Sequence, residues 1–146
     1  ERLDEAFETI QETAREAGRD PASIAVAPYV PAAVSDDPED AYAQVAGHLA
    51  YYVGSGEGYR RAVAQAFPEE AEAVAEAWRD GDRGAAREAV TREMVDALGV
   101  AGTPETAPDK LAAVEAIDPI DEAIVVVPTG TDDEMTRDTV EVLAPE

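Results

Sequence analysis

The chain has 146 residues, of which 33 are acidic and 11 are Lys or Arg, so its formal net charge is −22. This charge excludes a conventional nucleic-acid binder, because binding to a phosphate backbone requires a basic surface. The sequence has no cysteine, which excludes disulfides, thiolate catalysis and cysteine-based metal sites. No apolar run approaches the roughly 20 residues that span a bilayer, and no segment resembles a signal peptide. We therefore expect a cytoplasmic protein that binds neither nucleic acid nor membranes.

The acidic residues occur along the whole chain rather than in a tail, and Lys110 is the only lysine. In ordinary salt, such self-repulsion destabilises a compact state, whereas molar salt shortens the screening length to about 3 Å. The composition therefore predicts a cytosolic protein of an extreme halophile.

The first predicted elements are a helix and a strand. Apolar residues at helical spacing predict an amphipathic helix from Arg2 to Ala17. The apolar run from Ile24 to Val34 has no helical stripe, and Pro28 and Pro31 exclude a regular helix there. We predict a buried strand through about Tyr29 and irregular backbone after it.

Four helices are predicted next, from Pro38 to Val53, from Glu57 to Phe67, from Pro68 to Arg79, and from Asp82 to about Asp96. Acidic residues and a proline at the start of the first helix are typical of a helix N-terminus. The region from residue 37 to residue 96 is thus a helical insertion between two strands of a single region, residues 1–146.

A second strand is predicted at Ala97–Ala101, followed by a helix that continues to Ile117. Thr103 is a good N-cap and Pro104 a good first helical residue, so we expect the helix to begin there. Gly102 lies between strand and helix, where a sharp turn often requires a positive φ or the close approach of a ligand.

The clearest buried strand is predicted at Ala123–Val127, and a last helix at Asp132–Leu143. Alternating helices and buried strands predict an α/β fold with a parallel sheet. Three strands leave unpaired edges, and the chain starts inside an amphipathic helix with no strand before it. We therefore expect the C-terminal part of a larger α/β protein, most plausibly a barrel.

Four segments carry a family resemblance: IAVAPYVPAAV leading to SDDPEDA, then HLAYYVGSGEGY, VDALGVAGTPE and EAIVVVPTG. In this order and spacing they resemble the C-terminal half of the luciferase-like family of (β/α)8 TIM barrels. The resemblance is strongest to the members that use the deazaflavin coenzyme F420, such as the methylenetetrahydromethanopterin reductases.

The resemblance implies an oxidoreductase or monooxygenase that uses F420 or FMN to transfer a hydride to a small-molecule substrate, with a pterin as one candidate. The early strands of the family barrel are absent from the chain, so we expect the chain alone to be inactive and assign no catalytic residue. The alternative is an acidic helical module that binds a partner or forms homo-oligomers without catalysis.

Candidate site residues follow from the barrel geometry, because active sites lie at the C-terminal ends of the strands. The cofactor-binding candidates are Tyr29, Gly102, Thr103, Pro128, Thr129 and Gly130. The helices of the insertion lie over the barrel mouth in the family, which makes His48, Tyr52 and Tyr59 the substrate-binding candidates. His48 has no partner at metal-ligand spacing, and core packing is the competing explanation for the tyrosines. We expect no metal site.

Overall fold

A parallel sheet of three strands organises the computed structural model, which describes residues 2–145, with side chains from residue 6 onward. The strands are β1 (Tyr29–Val34), β2 (Val100–Gly102) and β3 (Ile124–Val126), in the order β2-β1-β3. Both strand pairs are parallel, which confirms the α/β fold expected from the alternation of elements.

Helices surround this sheet, and most of them begin close to the residues that the sequence predicts. They are α1 (Arg2–Glu16), α2 (Pro38–Ser55), α3 (Glu57–Val63), α4 (Pro68–Arg79), α5 (Arg83–Glu88), α6 (Arg92–Leu98), α7 (Ala107–Glu115) and α8 (Asp133–Leu143). The carboxylates of Asp37 and Asp132 accept backbone hydrogen bonds at the starts of α2 and α8. None of the helices between residues 2 and 145 is long and apolar enough to cross a membrane.

The first strand lies further along the chain than predicted, because β1 begins at Tyr29 instead of ending there. Its first half pairs with β3, where Tyr29 faces Ile124, and its second half pairs with β2, where Val34 faces Gly102. Pro31 lies next to this change of partner. A proline without an N–H is tolerated where the ladder changes, so the strand continues past it.

The helix predicted from Asp82 to Asp96 is two helices in the structure. Thr91 accepts a hydrogen bond from the N–H of Met94 and so starts α6 after a break. Helix α6 then continues through Leu98, which delays the start of β2 to Val100. The break follows from the capping hydroxyl, which offers the backbone an alternative to continuing one helix.

The start of α7 and the burial of β3 also differ from the predictions. Residues 103–106 form a turn, and α7 begins at Ala107 rather than next to Thr103. The residue that precedes α7 is Thr106, so Thr103 is not the predicted N-cap; it lies in the turn, where its N–H donates to the hydroxyl of Thr106 at 3.0 Å. Strand β3 is only partly buried, with Ile124 40% exposed, whereas β2, the other edge strand of the described sheet, is buried because α2, α6 and α7 pack against it.

The two faces of the sheet pack against different helices. Val30, Ala32 and Val34 lie in a core with residues of α7 and α8. Ala33 lies in a second core with α2 and the helices of the insertion. Helix α2 packs along β1 and β2. One side of α2 therefore lies next to the half of the sheet where β1 pairs with β3.

Candidate functional site

One side of α2 carries a row of polar and aromatic side chains with one glycine among them. Gln44, Gly47, His48, Tyr51 and Tyr52 follow one another at spacings of three, four, seven and eight residues from the first. Such spacings place side chains on the same face of a helix. This row borders two clefts.

The first cleft has a volume of about 540 Å³ and is mainly apolar. We call it the apolar cleft; it lies between α2, α3 and the half of the sheet where β1 meets β3. Its lining includes Tyr29, Pro31, His48, Tyr52, Tyr59 and Val126.

The second cleft has a volume of about 640 Å³ and is lined by α2, α5 and the loop after β3. We call it the polar cleft. Its lining includes Gln44, His48, Tyr52, Arg87, Thr129 and Gly130. Because His48 and Tyr52 line both clefts, they form the wall that the two clefts share.

The rings of this wall contact one another. The ring centroids of His48 and Tyr52 are 4.7 Å apart, and those of Tyr52 and Tyr59 are 4.9 Å apart at an interplanar angle of 68°. Partial burial lowers the pKa of His48 below its ordinary value, because desolvation disfavours the imidazolium ion. His48 is therefore a neutral ring at pH 7, suited to stacking and to hydrogen bonding rather than to holding a positive charge.

The loop after β3 is fixed against α2 by hydrogen bonds. The side-chain amide of Gln44 donates to the hydroxyl of Thr131 at 2.9 Å, and that hydroxyl donates to the carbonyl of Pro128 at 2.7 Å. Gly130 has a φ of 88°, a conformation that side-chain-bearing residues rarely adopt. These features hold Thr129 and Gly130 at the polar cleft.

Six of the nine sequence-predicted site residues line the two clefts. Tyr29, His48, Tyr52 and Tyr59 line the apolar cleft, and Thr129 and Gly130 line the polar cleft. Pro128 contributes through the carbonyl that holds Thr131. Tyr29 reaches the apolar cleft from the beginning of β1, not from the strand end at which it was expected.

Gly102 and Thr103 line neither cleft. The φ of Gly102 is not positive, so the first of the two reasons considered for a glycine there, a left-handed turn, does not apply. A Cβ at Gly102 would lie 2.5 Å from the hydroxyl oxygen of Thr106, within the same turn. The close approach that favours glycine is therefore made by the turn itself, and a role of these two residues in cofactor binding stays a prediction.

Two further features have no clear sequence signal. One is Arg87, which reaches the polar cleft from α5.

The other is a network around the only lysine: Lys110 donates to Asp96 at 2.8 Å, to Tyr42 at 2.6 Å and to the carbonyl of Ala101 at 2.9 Å. Burial raises the pKa of Asp96, but the hydrogen bonds from Lys110 and Tyr42 outweigh it and hold that pKa below its ordinary value. This network joins α2, α6, α7 and β2 and lines neither of the two clefts.

Comparison with known proteins identifies the family. The model of the family described as luciferase-like monooxygenase matches residues 1–118. The chain belongs to this family. A solved structure of similar fold is the coenzyme F420-dependent tetrahydromethanopterin reductase from Methanopyrus kandleri, with 28% sequence identity and a TM-score of 0.70. The match covers 94% of this chain and 39% of the reductase chain.

This likeness confirms the fold class, because the α/β arrangement of a luciferase-like chain corresponds to part of the barrel of the reductase. The chain spans well under half the length of the reductase that it matches. Among curated protein sequences, none matches this chain significantly.

Proposed function

We propose that the protein is a luciferase-like oxidoreductase that transfers a hydride between a reduced deazaflavin or flavin and a carbon of a small-molecule substrate. The observation that carries the proposal is the cluster of three contacting rings, His48, Tyr52 and Tyr59, which borders the apolar cleft in a chain of this family. F420 is the favoured cofactor, because the similar reductase is described as F420-dependent. FMN is the alternative, and a pterin is the favoured substrate.

The residues of the apolar cleft fit a planar ring. Its volume of about 540 Å³ lies within the range of small-molecule sites. Tyr29 on one side, and Tyr52 and Tyr59 on the other, offer ring faces and edges, which favour stacked or edge-to-face contacts with aromatic ligands. When bound, the cofactor supplies the hydride chemistry.

The contribution of this chain is binding and orientation. Tyr29 and the loop at Pro128–Gly130 would hold the cofactor, while His48, Tyr52 and Tyr59 would position the substrate ring. The apolar residues Pro31 and Val126 would exclude water from the reacting atoms. Since the chain spans 39% of the matched reductase, we expect the activity to require the intact gene product that carries it.

Fluorescence titration of that intact gene product with F420 and with FMN tests the proposal. We expect one of them to bind, and Tyr29→Ala to weaken binding about five- to tenfold, which corresponds to the loss of about 1–1.4 kcal/mol of ring contact. Tyr29→Phe is the matched control, because it keeps the ring and should keep the affinity. Binding of neither cofactor to folded protein would contradict the proposal.

A further inference from the structure

The guanidinium group of Arg87 makes no ion pair or hydrogen bond with any residue that the structure describes. Neighbouring arginines are engaged by the protein: Arg79 pairs with Glu72, Arg83 donates to the carbonyl of Trp78, and Arg92 pairs with Glu39. Acidic residues outnumber Lys and Arg by 33 to 11 in this chain, yet no described carboxylate pairs with Arg87. Its guanidinium group is available to an external anion.

The side chain of Arg87 lies across α2 at Gly47. A Cβ placed on Gly47 would be 3.9 Å from Cδ of Arg87, so the arginine stem runs over the helix one residue before His48. The hydroxyl of Thr129 lines the same cleft and hydrogen-bonds to no described residue. A guanidinium and a hydroxyl, both donors without a protein acceptor, thus line one cleft.

The charge around the polar cleft differs from that of the rest of the surface. No carboxylate belongs to the lining that the described residues provide. A third cleft, at the start of α8, shows the contrast, because it is lined by Asp36, Asp37, Asp40, Asp132, Glu134 and Asp138. The lining of the polar cleft therefore carries the positive charge of Arg87 and no carboxylate, whereas a further cleft that Arg87 also lines includes Glu39 and Glu88. An anion that approaches Arg87 is thus attracted more strongly from the polar cleft.

We propose that Arg87 binds an oxyanion, a phosphate or a carboxylate, carried by a ligand whose planar ring occupies the apolar cleft. His48 and Tyr52 separate the two clefts, so a ligand that passes this wall places a ring on one side and an anionic arm on the other. Guanidinium matches both anions, because its N–H groups pair with two oxygens in one plane. The inference rests on the proposed function for the ring, but the anion site itself does not depend on it.

The first test compares FMN with riboflavin, which have the same ring and differ by the phosphate. Titrations of the intact gene product at one fixed KCl concentration give the ratio of the two affinities. We expect the wild type to prefer FMN, Arg87→Gln to lower FMN affinity about tenfold while leaving riboflavin affinity unchanged, and Arg87→Lys to restore part of the preference. Arg137→Gln is the matched control, because Arg137 is also exposed and lines none of these clefts.

The second test does not require ring binding. The NMR signal of the Arg87 side-chain N–H is followed during titration with inorganic phosphate and, separately, with glutarate, using the Arg137 signal as internal reference. A selective shift of the Arg87 signal with phosphate identifies a phosphate arm, and one with glutarate alone identifies a carboxylate arm.

The two tests separate this inference from the proposed function. If no flavin or F420 binds but an anion shifts the Arg87 signal selectively, the anion site stands and the redox function is wrong. The opposite outcome has three parts: a ring binds, Arg87→Gln leaves the FMN-to-riboflavin affinity ratio unchanged, and neither anion shifts the Arg87 signal. In that case the function stands and the anion site is wrong.

Discussion

Thr139 on α8 completes the hydrogen bonding of the central strand. Its side chain is fully buried, its hydroxyl accepts from the N–H of Val34 at 2.9 Å, and it donates to the carbonyl of Met135 at 2.7 Å. A buried backbone N–H without an acceptor is costly, so this hydroxyl stabilises the end of β1 directly.

We expect Thr139→Val to lower the free energy of unfolding by about 1–3 kcal/mol, because valine has nearly the same shape but leaves the N–H of Val34 without an acceptor. Urea denaturation at a fixed KCl concentration measures the change. Thr139→Ser keeps the hydroxyl and is the control, with an expected loss of about 1 kcal/mol or less. Equal stability of the valine variant and the wild type would show that this hydrogen bond contributes nothing.

Residues whose role is local were predictable, and residues whose role depends on distant partners were not. Asp37 and Pro38 mark the start of α2 in the sequence as in the structure, because capping involves only the next few residues. Thr103 carries the same signal, but residues 103–106 form a separate turn and the helix starts at Ala107. Arg87 and Thr129 are brought to one cleft by long-range packing that no local pattern reports.

At the scale of elements, the contact between α2 and α4 depends on Gly54. A Cβ on Gly54 would overlap the ring of Trp78, so the two helices approach as closely as they do because this position has no side chain. Arg83 also covers the ring system of Trp78, because its guanidinium carbon is 3.6 Å from the ring centroid. The ring of Tyr51 meets Trp78 edge-on, which connects this contact to the polar cleft.

Gly54→Ala should therefore lower the free energy of unfolding by about 1–3 kcal/mol, because the added methyl group overpacks the interface between α2 and α4. Gly58→Ala is the matched control, since a Cβ there meets no atom within 4 Å and Gly58 lies in α3. That change should stabilise by about 0.5–1 kcal/mol through helix propensity. Thermal denaturation of both variants measures the difference, and equal effects would show that Trp78 moves aside without cost.

The strands show the limit of sequence patterns at this scale. The run from Ile24 to Val34 correctly indicated a strand, but its start depends on pairing: Tyr29 faces Ile124 of β3, which is distant in the chain. The residues of β3 are apolar as expected, yet Ile124 is 40% exposed, whereas β2 at the opposite edge of the described sheet is buried under α2, α6 and α7. Composition predicts that a strand forms, and the fold decides how deeply it is buried.

At the scale of the whole molecule, several large apolar side chains of the described residues are exposed. Helix α1 packs against the short turn at Pro21–Ser23, and Ile10 on α1 is 48% exposed. Ile117 and Val140 are also exposed. Self-association through such surfaces stays a prediction, as does a cytoplasmic location.

The net charge of −22 dominates the electrostatics of the whole molecule. The ion pairs Arg61–Glu57 and Arg79–Glu72 are largely exposed, and exposed pairs contribute at most about 1 kcal/mol each. Repulsion among the remaining carboxylates is unopposed at low salt, and counterions screen it as the salt concentration rises. Stability should therefore increase with KCl.

Between 0.1 M and 2 M KCl, concentrations chosen to bracket the screening change, we expect Tm to rise by roughly 3–8 °C, equivalent to about 1–2 kcal/mol for a domain of about 150 residues. Differential scanning calorimetry measures the rise. Replacing exposed glutamates within helices by glutamine gives the control, at Glu8, Glu12, Glu76 and Glu141. This variant should be more stable than wild type at low salt and gain less from KCl, because fewer carboxylates repel one another. A Tm that did not rise with KCl, or an equal rise in both proteins, would show that screening of these carboxylates does not stabilise the fold.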